Sequence, residues 1–318
     1  MNRYYGFKQE GSFKTFSTKL AALLISFLAI FCFLLIAMPD FAGLWPQKLS
    51  ENLKIDFINV GDGDAILIQT PAGKNYLIDS GACISPEEAN ILKVSRVEDY
   101  LRNLKIDKLD GILITHWHNN HFSGFLRIIR LYEVQTAYKI TAKPVSNSDY
   151  FDYTELCKMK NIEKKHIAAG DILNWGEELF VQVLNPPTHR HKIDTTIEHH
   201  ENSAVILLRY GKVQILLCSD ITPDGQKELM KYGESLKSQI IKLPGHGREN
   251  TLFEPFLELV NPKKAIISAK LKEGLPYSIT DSLENLGAEI YTTHNHGNIS
   301  ITVGGKTEED YRLITNID

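Results

Sequence analysis

Short apolar runs divided by turn residues dominate the chain after residue 52. LKIDFINV (53–60), AILIQT (65–70) and NYLID (75–79) are separated by GDGD and PAGK. Runs of this length with such turns predict three strands of an antiparallel meander. Ala89, Leu92, Val97 and Leu101 recur at helical spacing and predict a helix over 86–104. LDGILIT (109–115) predicts a buried strand and FSGFLRIIRLY (122–132) a helix. Residues 133–187 alternate in the same way with weaker signals, and the polar, histidine-rich stretch 188–202 is expected to be a loop. SAVILLRY (203–210) and VQILLCSD (213–220), joined by GK, predict a hairpin. Helices over 223–232, 252–260 and 278–286 then alternate with strands over 238–243, 264–269 and 288–293. Strands mixed with helices in this way indicate a layered α/β domain, not a helical bundle or an all-β fold.

The N-terminal region has a different pattern. LAALLISFLAIFCFLLIAM (20–38) contains no charge, and at about 1.5 Å per helical residue it nearly spans a hydrocarbon core. Arg3, Lys8, Lys14 and Lys19 precede it, opposed only by Glu10, which orients the N-terminus toward the cytosol. The expectation is a cytoplasmic segment 1–19, a transmembrane anchor 20–38, a linker 39–52 and a domain 53–318 outside the cell. The protein would then be a single-pass protein of the cell membrane. A cleaved signal peptide needs a shorter apolar run and a small residue three before the cut. Leu35 or Asp40 would stand there instead.

Composition narrows the class. At 43% apolar and 23% charged residues the chain is globular, not disordered. The net charge of -4 gives no general attraction to nucleic acid. Without residues 1–42, 31 basic residues face 37 acidic ones. Local basic patches are expected around Arg190, Lys192, Lys242 and Arg248, whereas EKK (163–165) reads as a solvated face. Cys32 lies in the apolar run, and Cys83, Cys157 and Cys218 show no paired spacing, so buried free thiols are expected.

The chemistry-bearing residues gather where apolar strands end. Asp79 follows YLI, THWHNNH (115–121) follows GILI, Asp220 follows VQILLCS, and His246 follows IIKLPG. Ligand groups in layered sheets often collect at such strand ends. Three imidazoles within six residues are a metal-site motif, weighed here against a merely polar loop.

The opening FINVGDGDAILIQTPAGKNYLIDSGA, the loop THWHNNHFSG, the strand end LLCSD and the segment KLPGHGR resemble the metallo-β-lactamase-fold hydrolases. Within them they resemble the extracellular metallo-hydrolase domain of ComEC-type competence proteins and its free-standing relatives, over residues 53–305. The resemblance implies a four-layer αββα sandwich, here preceded by one transmembrane helix. It implies one or two zinc ions, with manganese as an alternative, at one edge. His116 and His118 would bind the first ion. His121 and His246 would serve the second, and Asp220 would bridge both. Asn120 stands where the family motif has an aspartate, and with Asp220 it occupies a catalytic position. Asp79 would orient a histidine ligand. The third ligand of the first ion is open among His199, His200 and Asn202. Gly245 and Leu275 depart further, standing where this branch often has a histidine and a His-Pro. His189 and His191 read as loop or substrate-facing groups, His166 as structural, and His294 and His296 as turn residues.

Two functions follow. One is a membrane-anchored extracellular hydrolase in which zinc-bound hydroxide attacks a phosphoester, with a phosphoester or nucleic acid as substrate and no obligate protein partner. The other is a non-catalytic binding or scaffold protein on the same fold. DNA uptake is disfavoured because one span only is visible, and β-lactamase action because the opening and GHGR segments point to another branch.

Overall fold

A computed structural model of the chain describes residues 25–27, 51–82, 96–144, 148–188, 192–193, 200–271 and 274–316. The apolar run 20–38 lies outside these, apart from Ile25–Phe27, which are helical and exposed. Among the described residues no helix is long and apolar enough to cross a membrane. His189, Arg190, His191, His199, Cys32 and Cys83 also lie outside them.

Two sheets form the frame. The larger has eight strands: β1 (Leu53–Phe57), β2 (Ile66–Gln69), β3 (Asn75–Ile78), β4 (Lys108–Ile114), β5 (Glu133–Ile140), β7 (Glu163–Ile167), β15 (Asn298–Val303) and β16 (Tyr311–Asn316), in the order β16-β15-β1-β2-β3-β4-β5-β7. The first three form the antiparallel meander read from the sequence, and β3, β4, β5 and β7 run parallel. The smaller has β8 (Leu179–Asn185), β10 (Val205–Tyr210), β11 (Val213–Leu217), β12 (Ile240–Lys242), β13 (Lys264–Ile267) and β14 (Glu289–Thr292), ordered β14-β13-β12-β11-β10-β8. A short parallel pair joins β6 (Lys143–Pro144) to β9 (Lys192–Ile193).

The period-two alternation of the smaller sheet shows why four layers form. Ile206 and Leu208 of β10 and Val213, Ile215 and Leu217 of β11 point into a core shared with Leu53, Ile55 and Leu67 of the larger sheet. Val205, Leu207 and Leu216, one residue out of phase, point into a second core. There they meet Leu229 of α5 (Pro223–Leu229), Phe256 and Leu257 of α6 (Glu254–Val260) and Leu283 of α7 (Tyr277–Asn285). On the larger sheet, Val97 and Leu101 of α1 (Arg96–Asn103) and Ile128 and Ile129 of α3 (Phe125–Leu131) join the first core. The result is helix, sheet, sheet, helix.

Some sequence expectations need correction. The helix expected over 122–132 is two pieces, α2 (Asn119–Phe122) and α3. The break falls at Gly124, where a Cβ would lie 2.4 Å from the Ser80 carbonyl oxygen, so the chain must pass closely and bare. Of the helix expected over 86–104, only α1 is described. The helix over 223–232 ends at Leu229 and continues as a 3-10 turn, Met230–Leu236, broken at Gly233. Strands β15 and β16 carry little sequence signal, because short runs such as YRLITN alternate exposure and lack a continuous apolar core signal. Cys157 and Cys218 are free and buried, as expected.

Gly111 of β4 sits under an aromatic stack. Tyr76 and Trp175 lie 4.3 Å apart and parallel, and a Cβ on Gly111 would stand 2.9 Å from Tyr76 and 3.0 Å from Tyr138. Gly111→Val should therefore destabilise the domain by about 1–3 kcal/mol, the usual cost of overpacking a filled core. Urea unfolding checks this, and a change under about 0.5 kcal/mol would show the stack to be loose.

Candidate metal centre

The motif THWH continues the alternation of β4 past its last paired residue. His116 and His118 point one way. Trp117 points the other way, fully buried, where its Nε1 donates to the Ala142 carbonyl at 2.7 Å. His121 follows one turn later on α2. The parallel strands β11 and β12 deliver Asp220 and His246 at their C-terminal ends, against the C-terminal ends of β3 and β4. One edge of the sandwich thus receives chemistry from both sheets, as open α/β sheets do at their strand C-termini.

Two clusters form there. The first holds His116, His118, His200 and Asp220. His118 Nδ1 lies 3.1 Å from both His116 Nε2 and His200 Nε2, and Asp220 Oδ2 lies 3.8 and 3.6 Å from the latter two nitrogens. The second is a triangle of residues in which Asp220 meets each imidazole through a different oxygen. His121 Nε2 to His246 Nε2 is 3.3 Å, His121 Nε2 to Asp220 Oδ2 is 3.4 Å, and His246 Nε2 to Asp220 Oδ1 is 3.4 Å. A tetrahedral zinc with bonds of about 2.0–2.1 Å needs ligand atoms about 3.3 Å apart. Asp220 Oδ1 is buried with no hydrogen-bond partner, which suits a carboxylate meant for a cation. The donor set of five imidazoles and one shared carboxylate therefore fits two divalent ions.

The two imidazoles of the second cluster are aimed from behind. Asp79 Oδ2 accepts from His121 Nδ1 at 2.8 Å and from Thr115 Oγ1 at 2.6 Å, while Asp79 Oδ1 accepts from the Thr115 amide at 2.9 Å. His246 Nδ1 donates to the Ser268 carbonyl at 2.7 Å. Both contacts leave Nε2 facing the triangle, the usual way a protein orients metal-binding imidazoles. Ser219 Oγ donates to Thr115 Oγ1 at 2.7 Å, tying the end of β11 to the end of β4. Asp79, Ser219 and His246 all hold positive φ (54°, 48° and 58°), a conformation that costs a side-chain-bearing residue energy and that gathers at functional sites.

Charge follows the same plan. Burial pushes Asp220 up, yet His121 and His246 outweigh it and hold it well below the usual carboxylate range. Burial alone would lower His121, but the Asp220 and Asp79 carboxylates hold it up at about 10. His116 is driven well below its ordinary value by burial and by His121, and burial lowers His200.

The structure gathers His116, His118, His121, Asp220 and His246, with Asp79 behind them. Of the three residues left open, it brings His200 to the first cluster. Asn202 is buried nearby. Asn120 is half-buried on α2, and its side chain makes no hydrogen bond to another described residue. Gly245 has φ 55°, and a Cβ there would lie 2.6 Å from Thr251 Cγ2, so this loop has no room for a histidine. Leu275 packs against Gly247 beneath the same loop. His294 and His296 lie on the helical turn Thr293–His296.

Lys242 is a correction. Expected in a surface patch, it is fully buried and ion-paired with Asp64 under the second cluster. Arg248 is also engaged, its guanidinium on Asp62 at 2.6 and 2.7 Å. Asp64, a site residue absent from the sequence expectations, stands 3.8 Å from His121 Nδ1 and 3.9 Å from His246 Nδ1. Asp64 and Asp79 could group with His121 as a third cation site, but the Lys242 ammonium supplies that positive charge. Burial raises Asp64, and Lys242, His246 and His121 together more than reverse it. The available signal was a lysine inside QIIKLP, at the same strand parity as buried Ile240.

Residues 58–269 match the family model of the metallo-beta-lactamase superfamily, and the chain belongs to that superfamily. Within it, the chain is a relative of the ComEC-type competence proteins. It is 23% identical to ComE operon protein 3 of Bacillus subtilis over 230 residues, 70% of this chain and 29% of that protein. It is 22% identical to the competence protein ComA of Neisseria gonorrhoeae over 272 residues, 80% of this chain and 34% of that protein. The chain thus spans about a third of the length of these curated relatives. Among solved structures, the metallo-beta-lactamase fold protein YhfI of Bacillus subtilis superposes with a TM-score of 0.51 at 10% identity, covering 76% of this chain and 96% of that one.

In chelated protein, His121 should stay protonated through pH 8 and titrate near 10. Its folded value lies above the unfolded value of about 6.5. Its contribution to stability is therefore complete below that pH and is lost as pH rises through 10. Imidazole Cε1 proton shifts read this directly, and Asp79→Asn should lower the midpoint. If every imidazole titrated at or below about 6.5, the charge arrangement described here would be wrong.

Proposed function

We propose that this chain is a membrane-anchored, metal-dependent phosphodiesterase whose domain from residue 53 works outside the cell. The observation that carries the reading is the triangle of His121, His246 and Asp220 beside a three-histidine cluster, with Asp220 common to both. The apolar run 20–38 and the basic residues before it support the anchor.

Zinc or manganese held by the two clusters would supply Lewis acidity and neutralise charge on an attacked phosphoryl group. The remaining steps belong to the chain. Asp220 sets the spacing of the clusters. Asp79 and Ser268 keep His121 and His246 as neutral donors through Nε2 once a metal replaces the proton. Ser219 and Thr115 hold the two sheet edges in register. The second cluster has two imidazoles and one carboxylate, because Asn120 offers a neutral amide where the family motif has an aspartate.

Asn120→Asp adds an anionic oxygen beside His121. It should raise zinc affinity at the second cluster, and diester turnover at limiting zinc, by about tenfold or more. Asp220→Ala should abolish turnover. Hydrolysis of a chromogenic phosphodiester, paired with elemental analysis, checks both. If both the natural chain and Asn120→Asp are inactive with zinc and with manganese, the fold serves as a binding scaffold, a role to which Gly245 and Leu275 would be suited.

A further inference from the structure

Two ion pairs join the same two segments beside the metal centre. One segment is the turn between β1 and β2, which carries Asp62 and Asp64. The other is the end of β12 with the loop beyond it, which carries Lys242 and Arg248. The inner pair, Asp64 with Lys242, is buried under the second cluster. The outer pair, Asp62 with Arg248, stands in water. Arg248 Nη2 donates to Asp62 Oδ1 at 2.6 Å and to Oδ2 at 2.7 Å, and the two side chains are 51% and 53% exposed.

The outer pair lies at the rim of the metal centre. Arg248 follows His246 by two residues, and Asp62 precedes Asp64 by two. Gly63, between the two aspartates, passes so close to the metal loop that a Cβ there would stand 2.1 Å from the Asn120 carbonyl oxygen. Burial lowers His200, and Arg248 adds to this together with His121 and His246, so the guanidinium charge reaches the first cluster as well.

The two pairs differ in how easily they part. Separating Lys242 from Asp64 leaves buried charge uncompensated, so the inner pair is fixed. An exposed pair adds little to stability, because water and salt screen it. With the inner pair holding the two segments together, Arg248 is free to exchange Asp62 for another anion. Its planar fork suits phosphate as well as carboxylate, with two parallel hydrogen bonds to either. A phosphomonoester carries about -1.5 to -2 charges at neutral pH, against one on the aspartate, and so competes well for it.

We propose that Arg248 is a specificity-determining residue, which leaves Asp62 to bind a second phosphate of the substrate while the diester faces the metal clusters. The substrate class is then a phosphodiester that also bears a phosphomonoester. Asp62 holds the guanidinium in place until that phosphate arrives. The proposal deepens the phosphodiesterase reading and rests on it.

The test compares two chromogenic esters on the zinc-loaded full chain, para-nitrophenyl thymidine 5′-phosphate and the same compound with a 3′-phosphate added. The readout is the ratio of their kcat/KM values. Arg248→Gln should lower the preference for the doubly phosphorylated ester about tenfold, the usual worth of a charge-assisted bidentate contact. Asp62→Asn should raise it about threefold, because the competing carboxylate is gone. A merely structural ion pair predicts the same direction for both variants, since either one breaks it. Lys158→Gln removes an exposed charge on the last turn of α4 (Ser148–Met159) and should leave the ratio as it is. Calorimetric binding of thymidine 3′,5′-bisphosphate and of thymidine 5′-phosphate to the same proteins needs no turnover and should show the same order. A ratio unchanged in Arg248→Gln, or shifted alike in the Asp62 and Arg248 variants, would overturn the proposal. Absent turnover of both esters, with the expected order in binding, would sustain the Arg248 assignment and count against the phosphodiesterase reading.

Discussion

A single buried carboxylate organises this edge of the protein. Asp220 is almost completely withdrawn from water, which costs several kcal/mol for an anion without compensation. Four imidazole nitrogens within 3.8 Å of its two oxygens compensate it, drawn from β4, α2 and the segments before β10 and after β12. Positioning those four groups requires both sheets. The carboxylate therefore couples the chemistry of the site to the packing of the sandwich.

The support around it is a chain of hydrogen bonds, not further metal-binding groups. Ser219 donates to Thr115, Thr115 to Asp79, and Asp79 also accepts from His121. This chain crosses from one sheet to the other. The residues at its corners adopt positive φ, so local backbone energy is spent where the geometry must be held. Beneath it the Asp64–Lys242 pair adds a third buried carboxylate without adding net charge. The lysine neutralises the site from below and leaves the histidine nitrogens facing the clusters.

Much of this was legible in the sequence. Strands that end in Asp79, His116, Asp220 and His246 show their chemistry because an apolar run stops at a polar residue. The meander and the β10–β11 hairpin were legible for the same reason, since turn residues mark them. Other features were hidden because they depend on partners far away in sequence. Lys242 reads as surface until Asp64, 178 residues earlier, is seen beneath it. His200 could not be told from His199 because a loop has no period to say which imidazole turns inward. The break at Gly124 comes from the Ser80 backbone, and β15 is a strand because β1 needs a neighbour, as β16 is beside β15.

The sharing of Asp220 between two clusters is tested most directly by magnetic resonance of the protein fully loaded with cobalt(II). Two ions joined through one carboxylate couple their spins, so the expected result is an exchange-coupled signal that becomes a single-ion signal in Asp220→Asn. Two magnetically independent ions in the natural protein would contradict a shared carboxylate, and with it the plan of the site described here.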